Sequence, residues 1–489
     1  MTNSIKTWWV YGLSILFIIL NIIFIVKEFY WISLLPIALL IILLLLYSLD
    51  ILLFGIVFLT PLSVNLQDLD FGVGVSLPTE PLLFGIMMVF IFRLFYENKY
   101  DFKILKHPVT IAIIFYLIWM FVTSITSEMP IVSFKYLLSR LWFIIPYYFL
   151  GIYLFKKFNN IKIFSWLYII ALLIVVVYTI YNHWLWGFEE KPAHWVMSPF
   201  YNDHTAYGAM LAFFIPVIFG FIFNKFTSKT VRIISMVIFG IFMIAIVLSY
   251  CRAAWISIFA AIGVYLILYF KINYRIVILS ITVFVSLYVL FKTDIIMKLE
   301  KNKQDSSKYL TEHLQSMSNI SSDASNLERI NRWSSAFRMF EERPVFGWGP
   351  GTYQFVYAPF QRYKEKTIIS TNTGEKGNAH SEYIGPLAEG GVLGSLLFIS
   401  ILITVIYTAS KIYKNARNKE IKLLGLLTFL GLVTYYTHGV LNNFLDTDKA
   451  SVPFWGFIAI LVAIDLYHNE PEKKTETDVR VSDNNIINP

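Results

Sequence analysis

Arg252 stands in the segment SYCRAAW, where one apolar stretch ends and the next begins with almost no link. A cation at a helix N-terminus opposes the macrodipole, so the position does nothing for local helix stability and points instead to an anion. With the free backbone amides of the helix that follows, Arg252 makes a phosphate site. Its plainer role is an interfacial arginine reaching to lipid headgroups. His380, in GNAHSEYIGPLAEGG, carries the side chain whose unperturbed pKa lies nearest neutrality, which suits it to take a proton from a hydroxyl. Arg140 lies about 7.5 Å deeper in an apolar stretch than Lys135 at a helical rise, and Glu389 lies in the apolar stretch that begins LAEGGVLG. An ionisable group inside a span is a functional residue by default. The alternative for both is an ion pair between neighbouring spans, with Glu389 holding an arginine in place. His183, His194 and His204 share a link without tight ligand spacing, and Asn202 or Asp203 reads as the N-cap of the helix after it.

The elements that position these residues are apolar helices. Of 489 residues 57% are hydrophobic and only 15% charged, against about half and about a quarter in soluble domains. Stretches of the ~20 residues that cross a bilayer as a helix recur along the chain. A membrane β-barrel would show alternation, and Ile37 to Tyr47 shows none. The fold class is therefore an all-α polytopic membrane bundle of 12–14 transmembrane helices, the third candidate, Ile51 to Val64, being short. Residues 1–291 hold helices one to eleven, ending with Tyr274 to Phe291; residues 383–467 hold the last three; residues 468–489 form a polar, disordered cytoplasmic tail. The first stretch, Trp8 to Val26, follows Lys6 and reads as an uncleaved span. The single Cys251 excludes an intramolecular disulfide and offers no clustered metal ligands.

A net charge of +8 suggests no nucleic acid here, because the cations lie in alternate links. One set carries Arg93, Lys99, Lys103 and Lys106, then Lys156, Lys157 and Lys162, then Lys225, Lys229 and Arg232, then Lys271 and Arg275, then Lys411, Lys414, Arg417, Lys419 and Lys422. These are cytoplasmic. The other set carries acids, Asp68 and Asp70, Glu128, Glu189 and Glu190, Asp446 and Asp448, and is external. Residues 292–382 then form one large external loop holding the chemistry-bearing motifs, longer than a compact bundle requires. Within it Ile330, Trp333, Phe337 and Phe340 recur at helical spacing among Arg329, Arg332 and Arg338, which predicts an amphipathic helix lying on the membrane surface or capping the bundle. Pro344 and the glycines of FGWGPG end it in a turn.

Three segments together resemble the bacterial O-antigen ligase and O-antigen polymerase family of polytopic glycan transferases. They are RINRWSSAFRMFEERPVFGWGPGTY, with Arg329, Trp333 and Gly349; NAHSEYIGPLAEGGVLG, with His380 and Glu389; and LSYCRAAW, with Arg252. The resemblance covers roughly residues 195 to 450. It implies metal-independent, inverting transfer of a glycan from undecaprenyl diphosphate to an acceptor hydroxyl, without a cofactor, on the external side of the bacterial plasma (inner) membrane. His380 is then the base on the acceptor. Arg252 and Arg329, with Arg140, are ligands of the leaving diphosphate, and Glu389, Trp333 and Gly349 are supporting residues. Where the family often has Asn after this histidine, Ser381 follows here, so an orienting hydrogen bond would differ. The acceptor is a lipid A core sugar in a ligase or the terminal sugar of another lipid-linked repeat in a polymerase. A protein-glycosylating transferase of the same family and a lipid-linked oligosaccharide exporter without chemistry are the rival readings.

The alternating cations make a topology prediction that single cysteines check. An impermeant thiol reagent on intact cells should label cysteines at Ser306 and Thr371 and spare one at Lys414; the reverse pattern inverts the orientation.

Overall fold

A computed structural model describes residues 2–66, 74–97, 100–273, 275–277, 279–280, 282–283, 286–287, 324–363 and 377–469. Asp68, Asp70, Lys99, most of the Tyr274 to Phe291 span, residues 292–323 and 364–376 of the expected loop, with Ser306 and Thr371, and the tail beyond 469 lie outside them. The helices run α1 Thr2–Val26, α2 Leu35–Tyr47, α3 Leu49–Leu59, α4 Thr79–Glu97, α5 Phe102–Leu105, α6 Pro108–Ile125, α7 Pro130–Ile144, α8 Gly151–Leu154, α9 Phe158–Leu185, α10 His204–Phe223, α11 Lys229–Leu248 and α12 Arg252–Tyr269. After the undescribed stretch come α13 Ala324–Glu342, α14 Tyr353–Val356, α15 Ile384–Asn415, α16 Lys419–His438 and α17 Asp448–Ala463. Among the described residues twelve helical segments are long and apolar enough to cross a membrane, and Leu49–Leu62 adds a shorter apolar one. The chain is an all-α polytopic membrane protein, with a two-stranded antiparallel ribbon pairing Val64 with Leu77 and Asn65 with Ser76.

Burial sorts the spans into an inner and an outer set. The Trp8–Val26 and Tyr30–Tyr47 spans contain no buried residue, whereas α10, α16 and the Asp448–His468 span are buried over most of their length. Inner helices approach closely where small residues allow it, the usual device where lipid supplies no hydrophobic drive for association. Gly431 on α16 lies against the Phe213 carbonyl and the Phe457 ring, and Gly456 on α17 against the Phe164 ring. The start of α17 is tied to the turn after α3 and to the start of α4: Ser63 and Thr79 hydroxyls each donate to Asp448 at 2.5 Å, and the Lys449 ammonium donates to the Thr60 and Ser63 carbonyls at 2.7 and 2.6 Å. That tie fixes the loop before α17, residues 439–447.

Two expectations change. The helix bearing Arg140 begins at Pro130 and continues through a π-turn at Ile145–Leu150 and α8, so Arg140 lies about 15 Å from its start. The second concerns α13: of the two placements open to the amphipathic helix, it meets the bundle by a largely polar face and leaves much of its apolar side outward. Ile330 and Phe337 are exposed, while Glu328, Asn331, Arg332, Ser335, Ala336 and Met339 are buried. Its polar face meets the protein because polar partners wait there: Arg332 pairs with Glu328 at 2.7 Å, and Asn331 donates to Gln361 at 3.1 Å.

The span α15 is broken within its second turn. Gly391 has φ 68° and ψ −168°, a backbone region open essentially to glycine alone. The peptide groups freed by the break are met by the turn that follows α13. Val392 N–H donates to the Pro344 carbonyl at 2.9 Å, Trp348 N–H to the Ala388 carbonyl at 3.1 Å, and Gly349 N–H to the Glu389 carbonyl at 2.8 Å. Trp119 of α6 donates to the Gly390 carbonyl at 2.8 Å and stacks on Phe346 at 5.6 Å. Irregular backbone at such a depth persists only where protein satisfies it. A methyl on Gly391 would meet the Val345 carbonyl oxygen at 2.1 Å, and one on Gly349, at φ 109°, the Ser127 hydroxyl at 2.0 Å.

Gly391→Ala should therefore cost about 3 kcal/mol or more from backbone strain and overlap together, read as a lowered midpoint in thermal unfolding of the detergent-solubilised protein. Gly263→Ala, where a methyl meets nothing within 4 Å, should leave the midpoint nearly unchanged.

Candidate functional site

The ends of α10, α12, α15 and α16 and the polar face of α13 meet at one end of the bundle. His380 lies in the short segment before α15 and is pinned from both sides. Upstream, its own N–H donates to Asn378 Oδ1 at 3.0 Å, and its φ is 47°. Downstream, Glu382 N–H donates to the Gly439 carbonyl at 2.8 Å, and Glu382 Oε1 accepts from the Tyr435 hydroxyl at 2.7 Å and from the Phe444 and Leu445 amides at 2.8 and 2.9 Å. Ser381 turns its hydroxyl to the backbone, capping Tyr383 N–H at 3.3 Å. The residue after His380 thus orients the segment, not the imidazole.

Around His380 the charged groups are Arg329 and Arg332 from α13, Asp203 before α10, and Glu328. Burial, then the charges of Arg329 and Arg332, push the His380 imidazole down to about 4, against smaller opposing effects of Asp203 and Glu328. It is neutral at physiological pH. Arg329 is half-buried and lies within electrostatic reach of Cys251, His204 and His438 as well as His380. Asp203 is the N-cap of α10, accepting the Thr205 and Ala206 amides at 2.7 and 2.8 Å. Cys251, the N-cap of α12, is buried, and burial pushes its thiol up to about 12. Arg252 is therefore the first residue of α12, next to Cys251, which lies within reach of Arg329, Asp203 and His438.

The structure brings Arg329, His380 and the start of α12 together. It places Arg140 elsewhere. The Arg140 guanidinium donates to the Leu445 carbonyl and the Tyr136 hydroxyl, with the carboxyls of Glu382 and Asp446 in its field. It lines a cavity of ≈200 Å³ with Glu382, Glu389, Asp446, Asn443 and Trp455. The backbone of 378–382 divides the two regions: Asn378, Ala379, Ser381 and Glu382 line the cavity and His380 does not. Glu389 braces the turn, its carboxylate accepting the Tyr353 amide at 3.1 Å and that of Gly351, and Arg140 lies within its electrostatic reach. Trp333 is half-buried on α13, its indole N–H without a hydrogen-bond partner among the described residues, and Gly349 belongs to the docked turn.

Sequence reasoning passed over several members. His438, the last residue of α16, is buried with Nε2 3.7 Å from Cys251 Sγ and Nδ1 3.4 Å from Asn442; an imidazole at the end of an apolar stretch is the signal that pointed to it. His194 and His204, set aside in the sequence for want of tight spacing, stand with ring centroids 4.1 Å apart. Glu382, Asn443 and Trp455 carry no local motif.

Residues 236–399 match the Wzy_C family, described as O-antigen ligase. The chain is also 24% identical over 222 residues to a protein of Haemophilus influenzae described as uncharacterized, a match that takes in 42% of this chain and 50% of that protein. The chain thus spans about half the length of the curated relative it matches.

The depressed imidazole carries its own test. In protein with ¹³C-labelled histidine, the His380 resonance, assigned through His380→Gln, should titrate near 4, and Arg329→Gln should move the midpoint upward by removing a positive neighbour. A wild-type midpoint at the ordinary 6.5, unmoved by Arg329→Gln, contradicts the placement.

Proposed function

With an O-antigen ligase family match over residues 236–399 that contains Arg252, Arg329 and His380, we propose that this multi-pass membrane protein transfers a lipid-linked glycan to an acceptor hydroxyl. The observation that carries the reading is the meeting of His380 with Arg329 beside the N-terminus of α12. A neutral imidazole and a fixed guanidinium at one site are what displacement at an anomeric carbon requires.

The donor in this reading is a glycan on undecaprenyl diphosphate. A ring nitrogen of His380 takes the proton of the acceptor hydroxyl as its oxygen attacks the anomeric carbon from the face opposite the diphosphate. The anomeric C–O bond breaks, its electron pair leaves with the diphosphate, and the configuration inverts. Arg252 and Arg329 hold the developing charge; fixed donors aimed at such charge are usually the largest catalytic contribution, and guanidinium forks onto phosphate oxygens as ammonium does not. An anion bound at Arg329 also offsets one of the charges that hold the His380 imidazole low, so the base strengthens when donor is in place. No step calls on a metal.

The site faces the outside of a bacterial inner membrane in this proposal. Supporting that, alternation of the helices puts Lys156, Lys162, Lys225, Lys229, Lys411 and Lys422 at the end of the bundle away from His380. The acceptor is the terminal sugar of another lipid-linked repeat, as in O-antigen or capsular polysaccharide polymerases, or a lipid A core sugar, as in ligases.

Purified protein with donor lipid and both acceptors tests the reading. His380→Ala should bind donor normally and transfer glycan about 10²–10⁴-fold more slowly, or ~3–5 kcal/mol of barrier. Arg329→Lys should lose nearly as much turnover as Arg329→Ala. Near-normal turnover in His380→Ala, or a loss that only tracks weaker donor binding, removes His380 from the chemistry.

A further inference from the structure

The cavity beside the His380 segment differs in chemistry from the arginine cluster on its other side. One guanidinium, Arg140, faces three carboxyl groups, those of Glu382, Glu389 and Asp446. Arg140 is already engaged by the Leu445 carbonyl and the Tyr136 hydroxyl. A diphosphate entering here would bring more negative charge to three carboxyls, which would have to take up protons to admit it. Tyr116, Tyr353 and Phe398 supply aromatic surface to the lining.

Polar atoms in the lining are left over. The indole N–H of Trp455, a residue only 1% exposed, has no hydrogen-bond partner among the described residues. The same holds for Nε of Arg140, 6% exposed, and for Oδ1 of Asn443. Asp446 is exposed as a residue, while its carboxyl lies in desolvating surroundings that raise it above the usual carboxylate range. Buried polar groups are normally paired, and a donor held dry is costly. Two donors, an amide oxygen and carboxyl groups beside aromatic rings suit a ligand rich in hydroxyls, each of which both donates and accepts. Its volume suits one ring, being below the range of drug-sized pockets.

We propose that this cavity is a subsite for one uncharged sugar ring of the transferred or accepting glycan, and that its carboxyls select against acidic sugars. The subsite rests on the glycan-transfer reading for its role, though not for its binding chemistry. Asp446 accepts hydrogen bonds from ring hydroxyls, Trp455 N–H and Arg140 Nε–H donate to ring substituents, and the aromatic side chains cover the apolar face of the ring. Asn378 and Ser381 line the cavity two residues and one residue from His380, at most about 7 Å along the chain. A ring seated here therefore leaves the adjoining part of its glycan beside the base. Arg140 holds the cavity wall through Leu445, and the diphosphate belongs to Arg252 and Arg329.

Saturation-transfer NMR on the full chain in nanodiscs measures this directly, with the methyl glycosides of glucose, galactose, N-acetylglucosamine and glucuronic acid as probes. At least one neutral glycoside should bind in the millimolar range, and the glucuronide should bind about tenfold more weakly than the glucoside. Trp455→Phe, which keeps the ring and removes the N–H, should weaken the neutral glycoside several-fold, and Asp446→Asn should narrow the gap to the glucuronide. Absence of binding by every neutral glycoside overturns the proposal, as does equal binding of glucuronide and glucoside, or unaltered binding in Trp455→Phe. His380→Ala should retain glycoside binding. Lost binding with transfer intact therefore sinks the subsite alone, and intact binding without any transfer in wild type sinks the transferase reading alone. In transfer assays, a raised KM in Asp446→Asn for the acceptor only assigns the ring to the acceptor, and for the donor only assigns it to the donor.

Discussion

The break in α15 at Gly391 and the turn that fills it hold the site together. A helix interrupted within its apolar length exposes peptide groups that lipid cannot satisfy. Here Pro344, Trp348 and Gly349 supply the partners through three backbone hydrogen bonds. Because the turn follows α13 directly, its docking sets where α13 lies and therefore where Arg329 and Arg332 point. Because the break lies shortly after His380 in the chain, the same contact fixes the histidine segment. Trp119 on α6, with Ser127 and Glu128 after it, latches the turn from the other side: Trp119 reaches Gly390, and the Trp348 carbonyl takes the Glu128 amide at 3.1 Å. Glu389 closes the arrangement by receiving the Tyr353 amide.

That scaffold produces two adjoining regions of opposite chemistry. On one side of residues 378–382 lie cations and neutral imidazoles at a helix N-terminus, an environment for a phosphate anion. On the other lie carboxyls, one engaged arginine and unsatisfied donors, an environment for hydroxyls. A single strand of backbone separates them, and Glu382 anchors it to the loop before α17. In the transferase reading this division is what lets charge on the leaving group be stabilised without drawing the sugar into the same pocket.

Much of this architecture is legible in the sequence, for physical reasons that differ by residue. The spans announce themselves because nothing else buries so many consecutive apolar residues, and Asp203 as a cap and Arg252 at a helix start follow from local hydrogen-bonding rules. The break at Gly391 was not read, since the stretch from Tyr383 to Ser410 reads as one continuous span although LAEGGVLG holds adjacent glycines. The inward face of α13 was not legible. Apolar periodicity identifies the face that avoids water, but at the end of a membrane bundle that face can look outward, leaving Ile330 and Phe337 exposed and Glu328 and Arg332 inside. The cavity was illegible for another reason: Arg140, Glu382 and Trp455 come from three distant helical regions and share no local pattern, so only the packing of α7, α15 and α17 assembles them.

Cryo-electron microscopy of the protein in nanodiscs with an undecaprenyl-diphosphate-linked glycan examines this division of labour in one image. The diphosphate should lie within hydrogen-bond reach of Arg329 and Arg252, with the anomeric carbon beside His380 and Arg140 still bonded to the Leu445 carbonyl. Density for the diphosphate against Arg140 in the carboxyl-lined cavity, with Arg329 turned away from it, would contradict the assignment.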